Sequence, residues 1–345
     1  MDCTLLLIVV LLVVIGLVIL YSTSAYNGQV KFHDSFYYLK KQAFATVLGI
    51  VLMLFVAGMD YHIWQRLAVF GYLAAVALSV AVMLFGREIN GSKRWLALGP
   101  FSFQPSEFAK VALILFLADL VTKNVKTIGK MWTLCRIMFW ILPIVGLVGA
   151  SNLSTAIIIL GIGVILIFVA SPKYAQFALM GLAGACFMGL FLALESYRLE
   201  RLAIWRNPEK YEKGYQTLQG LYAIGSGGVF GVGLGNSVQK LGFVPEAQND
   251  MIFSIICEEL GLAGAGIIVF LFLLLIWRFF MIASGSRDLF GALIATGAMA
   301  HMMIQVILNI AVVTNTIPNT GITLPFISYG GTSVMFLLIE MGLVL

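Results

Sequence analysis

Ten predominantly apolar stretches, most of them near the length of a membrane span, constrain this fold more than any other feature of the chain. They lie at 4–21, 42–59, 66–85, 105–121, 137–150, 153–170, 174–194, 250–277, 289–313 and 330–345. A helix needs about 20 such residues to cross ~30 Å of hydrocarbon, and in lipid every main-chain polar group must be satisfied within the protein. The expected fold is therefore all-α and membrane-integral, with ten transmembrane helices and both termini on one side. Composition agrees: 61% of the 345 residues are hydrophobic and only 11% are charged, with a mean hydropathy of +1.01. A soluble domain carries about 25% charged residues. No polar block is long enough for a separate soluble domain, so residues 1–345 read as one polytopic unit.

The stretch 4–21 lacks a basic flank and a small-residue cleavage site, so it reads as a retained first span. Cys3, Cys135, Cys186 and Cys257 lie in or beside apolar runs, as packed thiols rather than a disulfide framework or zinc cluster. Loop 122–136 carries Lys123, Lys126, Lys130 and Arg136 without an acid, which votes for the cytoplasmic side. The opposite side nevertheless holds Lys31, Lys40, Lys41, Arg87, Lys93 and Arg94, plus six further cations between Glu195 and Asn249. Either the topology is inverted or the outer face is basic to meet an anionic ligand.

The outer segments carry the unusual chemistry. Residues 86–104 mix three cations with Trp95, Gly99 and Pro100, as in a loop that dips into the interface. Residues 195–249 form the long loop of the chain, and its first part predicts an interfacial helix with Leu199, Leu202 and Trp205 on one face. The glycine run from Ala223 to Gly235 lacks the G-x-G-x-x-G spacing of a nucleotide site and follows no strand. Close packing or loop flexibility is the favoured reading of that run, with lining of a lipid-substrate groove as the alternative.

Ionisable residues within spans mark function by default. Glu107 and Lys110 lie at i and i+3 in a helix that Pro105 opens, close enough to pair. They fit equally a structural ion pair between helices. Asp250 stands at the head of the eighth span, where a helix dipole favours an acid. Partial desolvation there could also raise its pKa toward the range of a general base. Glu258 and Glu259 lie deeper and read as polar contacts between helices or as carboxyls that stay protonated. His33, His62 and His301 are scattered singly, without metal-ligand spacing. Gly330 and Gly331, before the last span, either leave N–H groups for an anion or let that helix pack closely.

Four separated motifs, in order, resemble the SEDS family (shape, elongation, division and sporulation) of bacterial integral membrane proteins. They are YSTSAY at 21–26, NGSKRWLALGPFSFQPSEFAK at 90–110, GLGNSVQKLGFVPEAQNDMIFSIICEELG at 233–261 and PFISYGGTS at 325–333. GLGNSVQK after AIGSGG is more similar to the division (FtsW) and sporulation (SpoVE) branches than to the elongation (RodA) branch.

The resemblance implies a ten-span peptidoglycan glycosyltransferase. Its substrate would be lipid II, polymerised on the outer face of the bacterial cytoplasmic membrane for septal or spore wall. A class B penicillin-binding protein would be its cross-linking partner, among other divisome or elongasome membrane proteins, and no nucleic acid is expected. The family's catalytic acid falls on Asp250, which would take the proton from the acceptor hydroxyl. Lys93, Arg94 and Lys110, with Lys110 oriented by Glu107, are candidates for holding the pyrophosphate leaving group, and a divalent cation, Mg or Mn, could share that task. Ser328, Gly330 and Gly331 are further substrate-binding candidates. Two departures stand out: Gln248-Asn249 replaces the family's usual His-Thr before the catalytic acid, and Asn152 stands where many members carry an acid. A lipid II flippase and a non-catalytic divisome scaffold are the competing readings.

Overall fold

A computed structural model of the chain describes residues 1–89, 92–98, 101–178, 181 and 203–345, with main chain alone at 87–89, 92–93, 97–98 and 101. Polar caps begin four of its helices, each accepting a main-chain N–H that the first turn leaves unpaired. Asp2 caps α1 (Cys3–Phe32) through Leu5 at 2.9 Å, and Asp60 caps α3 (Tyr61–Phe85) through His62 at 3.0 Å. Between them runs α2 (Tyr37–Ala57). Pro105 opens α4 (Pro105–Asn124) in the first turn, where its missing N–H costs nothing. Then come α5 (Met131–Ser151) and α6 (Leu153–Ala170), parted by Asn152, whose side chain caps α6 through Thr155 at 3.2 Å.

Within the long loop lies α7 (Tyr215–Ser226), and beyond it come α8 (Ile252–Ser284), α9 (Leu289–Val313) and α10 (Gly331–Val344). Asp288 caps α9 through Gly291 at 2.7 Å. Seven of these helices, α1, α2, α3, α5, α6, α8 and α9, are long and apolar enough to cross a membrane. The fourth expected span forms α4, whose 20 residues include Glu107, Lys110, Asp119 and Lys123. The tenth forms the shorter α10, and the seventh, 174–194, lies almost wholly outside the described residues. Most bounds agree with the apolar runs to a few residues. The main exceptions are α1, which carries on as helix through its polar YSTSAYNGQVKF end, and α8, which runs seven residues past its apolar stretch.

One group of buried apolar side chains joins α1, α8, α9 and α10, and a second joins α3, α4, α5 and α6. Helix α9 belongs to both: Ala298, Met302 and Val306 face the first group, while Phe290, Leu293 and Ile294 face the second. It is therefore the central post of the bundle. Helix α10 packs along α2, where Gly49 admits Met335 and Leu338, and Gly342 admits Met53.

Two features add to the expected all-helical picture. Three short strands form a small antiparallel sheet of order β1-β2-β3, with β1 at Arg87–Ile89, β2 at Ser92–Leu98 and β3 at Phe101–Phe103. The long loop also folds back on the bundle. Helix α7 runs beside the first turns of α8, placing Gly220 on Met251 and Gly227 on the main chain of Cys257. Helix α8 is broken at Gly261 (φ 67°, ψ −169°), which forfeits intrahelical bonds. The glycine run restores them. Val232 and Gly233 N–H donate to the carbonyls of Glu258 and Glu259 at 2.9 and 3.0 Å, while Leu262 and Ala263 N–H donate to Gly228 and Val229 at 3.0 Å each. The run is a close-packed main-chain splint, which is the role favoured from its sequence.

Candidate active site

Asp250 sits in the turn immediately before α8, with its side chain half-buried. Its surroundings come from four separate parts of the chain. Gln216 of α7 donates Nε2 to Asp250 Oδ1 at a long 3.5 Å. Gly321 lies beside Oδ2. Asn309 of α9 donates Nδ2 to the Asp250 main-chain carbonyl at 2.9 Å. Arg94 of β2 acts on the carboxylate through its positive charge. Burial pushes the Asp250 carboxyl up to about 6; the negative Glu246 adds to the rise, whereas main-chain N–H partners and Arg94 oppose it. A carboxyl poised there is ionised at neutral pH yet basic enough to accept a proton from a hydroxyl.

The residues before Asp250 are held firmly. Gln248 is buried; its Oε1 accepts from Asn27 Nδ2 of α1 at 3.0 Å, and its carbonyl accepts from Tyr329 N–H at 2.9 Å. Asn249 Nδ2 donates to Glu246 Oε2 at 2.5 Å, and Glu246 itself adopts φ 52°. Gln248 thus ties the Asp250 turn to α1 and to the segment before α10. At the other departure, Asn152 caps α6, and next to it Arg94 Nε donates to the Ser151 carbonyl at 3.3 Å. Arg94, Ser79, Ser106, Ser151 and Asn152 line a small, open cleft between α3, α4 and the α5–α6 break.

Glu107 and Lys110 pair at 3.0 Å and are both buried. Their pair belongs to a longer chain of polar groups. Ser333 Oγ donates to Glu107 Oε2 at 2.7 Å, and Lys110 Nζ donates to Gln305 Oε1 at 3.2 Å. His301 Nε2 lies 2.9 Å from the same Gln305 oxygen, and its Nδ1 lies 2.7 Å from Glu340 Oε2. The network joins α4, α9 and α10 inside the bundle. His301, which looks solitary along the chain, is one of its members.

The segment 320–324 connects this network to Asp250. Its carbonyls at Thr320, Ile322 and Thr323 accept from Ser154 Oγ (2.8 Å), Asn309 Nδ2 (2.6 Å) and Gln305 Nε2 (3.0 Å). Gln305 and Asn309 lie one turn apart on α9, so one helix face holds both Lys110 and the Asp250 turn. Neither residue stood out as a candidate in the sequence, although His301, Gln305 and Asn309 recur at i, i+4 and i+8 in an apolar span. That polar stripe was the available signal.

The other candidates divide. Lys93 lies in β2, and its side chain is outside the described residues. Ser328 is buried, with Oγ accepting from Leu324 N–H at 2.8 Å. Gly330 N–H donates to Gln42 Oε1 at 3.1 Å, and a Cβ on Gly331 would meet Ala45 at 3.2 Å. The Ser328 hydroxyl thus closes its own turn, while Gly330 and Gly331 serve the docking of α10 on α2 in this structure. Glu258 accepts from Ser237 Oγ and from Val238 N–H (3.0 Å), while Glu259 pairs with Lys240 at 2.6 Å and accepts from Ser22 Oγ. Both deeper glutamates hold the returning limb of the long loop, as polar contacts between elements. Leu199 and Leu202 of the expected interfacial helix are outside the described residues, whereas Trp205 Nε1 donates to the Asn315 carbonyl at 2.9 Å.

A helical membrane bundle with a carboxyl raised to about 6 at one end, under the charge of an arginine, defines a membrane-embedded protein with an ionisable site at its boundary. Comparison with known proteins makes the class specific. Residues 3–345 match the model of the FtsW, RodA and SpoVE family, described as cell cycle proteins. The chain belongs to that family. It is 40% identical to stage V sporulation protein E of Bacillus subtilis, over all of this chain and 96% of that one. It is 35% identical to the probable peptidoglycan glycosyltransferase FtsW of Trichlorobacter lovleyi, over all of this chain and 92% of that one. Among solved structures it is similar to a peptidoglycan synthase complex described as coordinating polymerization and crosslinking (TM-score 0.85, 30% identity, 99% of this chain and 96% of that chain). The rod shape determining protein RodA of Thermus thermophilus follows at TM-score 0.73 and 28% identity, covering 99% and 95% of the two chains.

Proposed function

We propose that this chain is a peptidoglycan glycosyltransferase that polymerises lipid II, with Asp250 as its general base. The observation that carries the reading is the Asp250 carboxyl itself: half-buried, raised to about 6, and standing at a helix start at one end of the bundle beside Arg94. Asp250 takes the proton from the acceptor sugar hydroxyl as that oxygen attacks the donor's anomeric carbon. The new glycosidic bond forms there while the bond to the pyrophosphate breaks, and the leaving group departs with the electron pair. Arg94 is placed to meet the developing negative charge. Lys110, buried with Glu107 and Gln305, supports the site from beneath rather than facing substrate in this conformation.

The Asp250 end is assigned to the outer face of the bacterial cytoplasmic membrane, where the cation-rich segments 87–94 and 195–249 would meet an anionic lipid-linked donor. A divalent cation, if one takes part, would rest mainly on the substrate's phosphates, because among the described residues no three His, Cys, Asp or Glu side chains converge. The relatives named for FtsW and stage V sporulation support a role in septal or spore wall, and the synthase-complex relative supports a cross-linking partner, a class B penicillin-binding protein. The flippase reading needs a polar path at mid-depth. Of the four residues that could supply one, Glu258 and Glu259 are closed on Ser237, Lys240 and Ser22, and Glu107 and Lys110 on each other, Ser333 and Gln305.

Purified protein with labelled lipid II tests the proposal. Wild type is expected to form glycan polymer and folded Asp250→Ala to form none. Polymer from Asp250→Ala at the wild-type rate would overturn the base assignment, and transbilayer movement of lipid II without polymer would favour the flippase.

A further inference from the structure

The limb that joins α7 to Asp250 has an unusual surface. Residues 227–245 contain a single charged side chain, Lys240, and it is 6% exposed and turned inward onto Glu259 and Ser22. The same segment exposes large apolar side chains instead: Phe230 at 85%, Val229 at 58% and Val238 at 57%, with Val232, Leu234, Leu241 and Phe243 also exposed. A loop immersed in water would place its cation outside and its phenylalanines inside. This one does the reverse.

Two pairs of polar contacts fix its level. Helices α1 and α8 pack together and run antiparallel. At one end Arg278 of α8 pairs with Asp2, and at the other Glu259 of α8 meets Ser22 of α1. Asp2 and Ser22 are 20 residues apart, and at 1.5 Å per residue that is about 30 Å, the thickness of the hydrocarbon core. The two contacts therefore bracket the bilayer. The glycine turn is bonded to α8 from Glu258 to Ala263, at and just inside the second bracket. Its depth puts the exposed tip at the top of the acyl chains.

Irregular main chain is normally excluded from lipid because its N–H and C=O groups go unpaired. Here the turn's main chain is bonded to the broken helix at Gly228, Val229, Val232 and Gly233, and Gly231 N–H to Gly227. These bonds pair the main chain where the turn meets α8, and large apolar side chains make up most of what the turn exposes. We infer that residues 227–243 form a re-entrant, lipid-facing foot, in which Val229, Phe230, Leu234 and Val238 dock into the leaflet on the Asp250 side. The return limb runs straight on to Asp250, so this foot sets the height of the carboxyl above the acyl chains. The inference is independent of the reaction assigned to Asp250.

Fluorescence of Phe230→Trp and Val238→Trp tests it, each read as the difference from wild type in lipid nanodiscs. Both sites are exposed, so neither substitution has to be accommodated in the core. Blue-shifted added emission is expected. Lipids brominated near the headgroup end of the acyl chain should quench most of it, lipids brominated near the terminal methyl should quench less, and aqueous iodide should have little effect. Red-shifted emission quenched by iodide and indifferent to bromine would overturn the inference. So would bromine quenching that disappears when a class B penicillin-binding protein is bound, because the face would then belong to protein.

Discussion

Asn309 holds Asp250 by its main chain, not by its carboxyl: the Nδ2 of Asn309 lies 2.9 Å from the Asp250 carbonyl and 2.6 Å from that of Ile322. The carboxyl is thus aimed by α9, the central helix, without any bond from Asn309 to the carboxylate oxygens. A fully buried amide bridging two carbonyls is a positioning group, and misplacement of a reacting group by about 1 Å can cost about 100-fold in rate. Asn309→Ala is expected to lower kcat about 10- to 100-fold with little change in KM for lipid II. Asn309→Gln, which restores an amide, should recover part of the loss. Equal losses in both variants that simply follow their thermal stability would remove the positioning role.

The position of the Asp250 carboxyl on the pH scale gives two linked expectations. As a base it must be ionised, so polymerisation should rise with pH, about tenfold per unit below 6, and level off above it. Stability runs the other way. The folded pKa lies above the ordinary carboxylate value of about 3.9, so the unfolded chain loses this proton first as pH rises. Ionisation therefore destabilises the fold progressively between about pH 4 and 6, and by a constant amount above that window. Asp250→Asn should raise the melting temperature clearly at pH 8 and leave it unchanged at pH 4. A gain of equal size at both pH values would show that burial of the charge is not its cause.

Glu107 and Lys110 are expected to behave as one unit. Removing one partner of a buried ion pair costs about 3–5 kcal/mol because the other charge is stranded. Here Ser333 and Gln305 can compensate only in part, each adding one bond. Glu107→Ala and Lys110→Ala should each lower stability and activity, and the double variant should lose far less than their sum. Melting temperatures and polymerisation rates of the three variants form the double-mutant cycle. Strict additivity would mean that the pair carries no coupling of its own.

The spans were legible because a bilayer imposes one length and one polarity on any helix that crosses it; the bounds of α6 and α9 follow directly from their apolar runs. Asp250 was legible for the same reason, as the acid at a water-to-lipid boundary. Of its neighbours, Arg94 was already among the candidates, but Asn309 and Gln216 were not: they reach it from α9 and α7, and such meetings depend on packing that a linear pattern does not encode. The small sheet escaped because its strands are short and lie beside Gly91, Gly99 and Pro100, which read as loop. The reading of Gly330 and Gly331 was balanced between anion site and packing, and only the contact with Gln42 and Ala45 shows how these residues are used here.

Gly261 carries the last prediction. At φ 67° and ψ −169°, a region open essentially to glycine alone, a side chain is strained by roughly 1–3 kcal/mol before any contact is counted. A Cβ there would also collide with Gly231 N and the Val229 carbonyl, atoms of the main-chain splint itself. Neither neighbour can rotate aside, so the glycine turn must detach from α8, exposing the carbonyls of Glu258 and Glu259 and loosening the limb that leads to Asp250. Gly261→Ala is expected to lower the melting temperature, open residues 227–243 to limited proteolysis and abolish polymerisation. Gly266→Ala is the matched control, five residues along the same helix with nothing within 4 Å of its Cβ position. There alanine should be neutral or stabilising by up to about 1 kcal/mol, from helix propensity alone. If the two variants behave alike, the splint does not support the site.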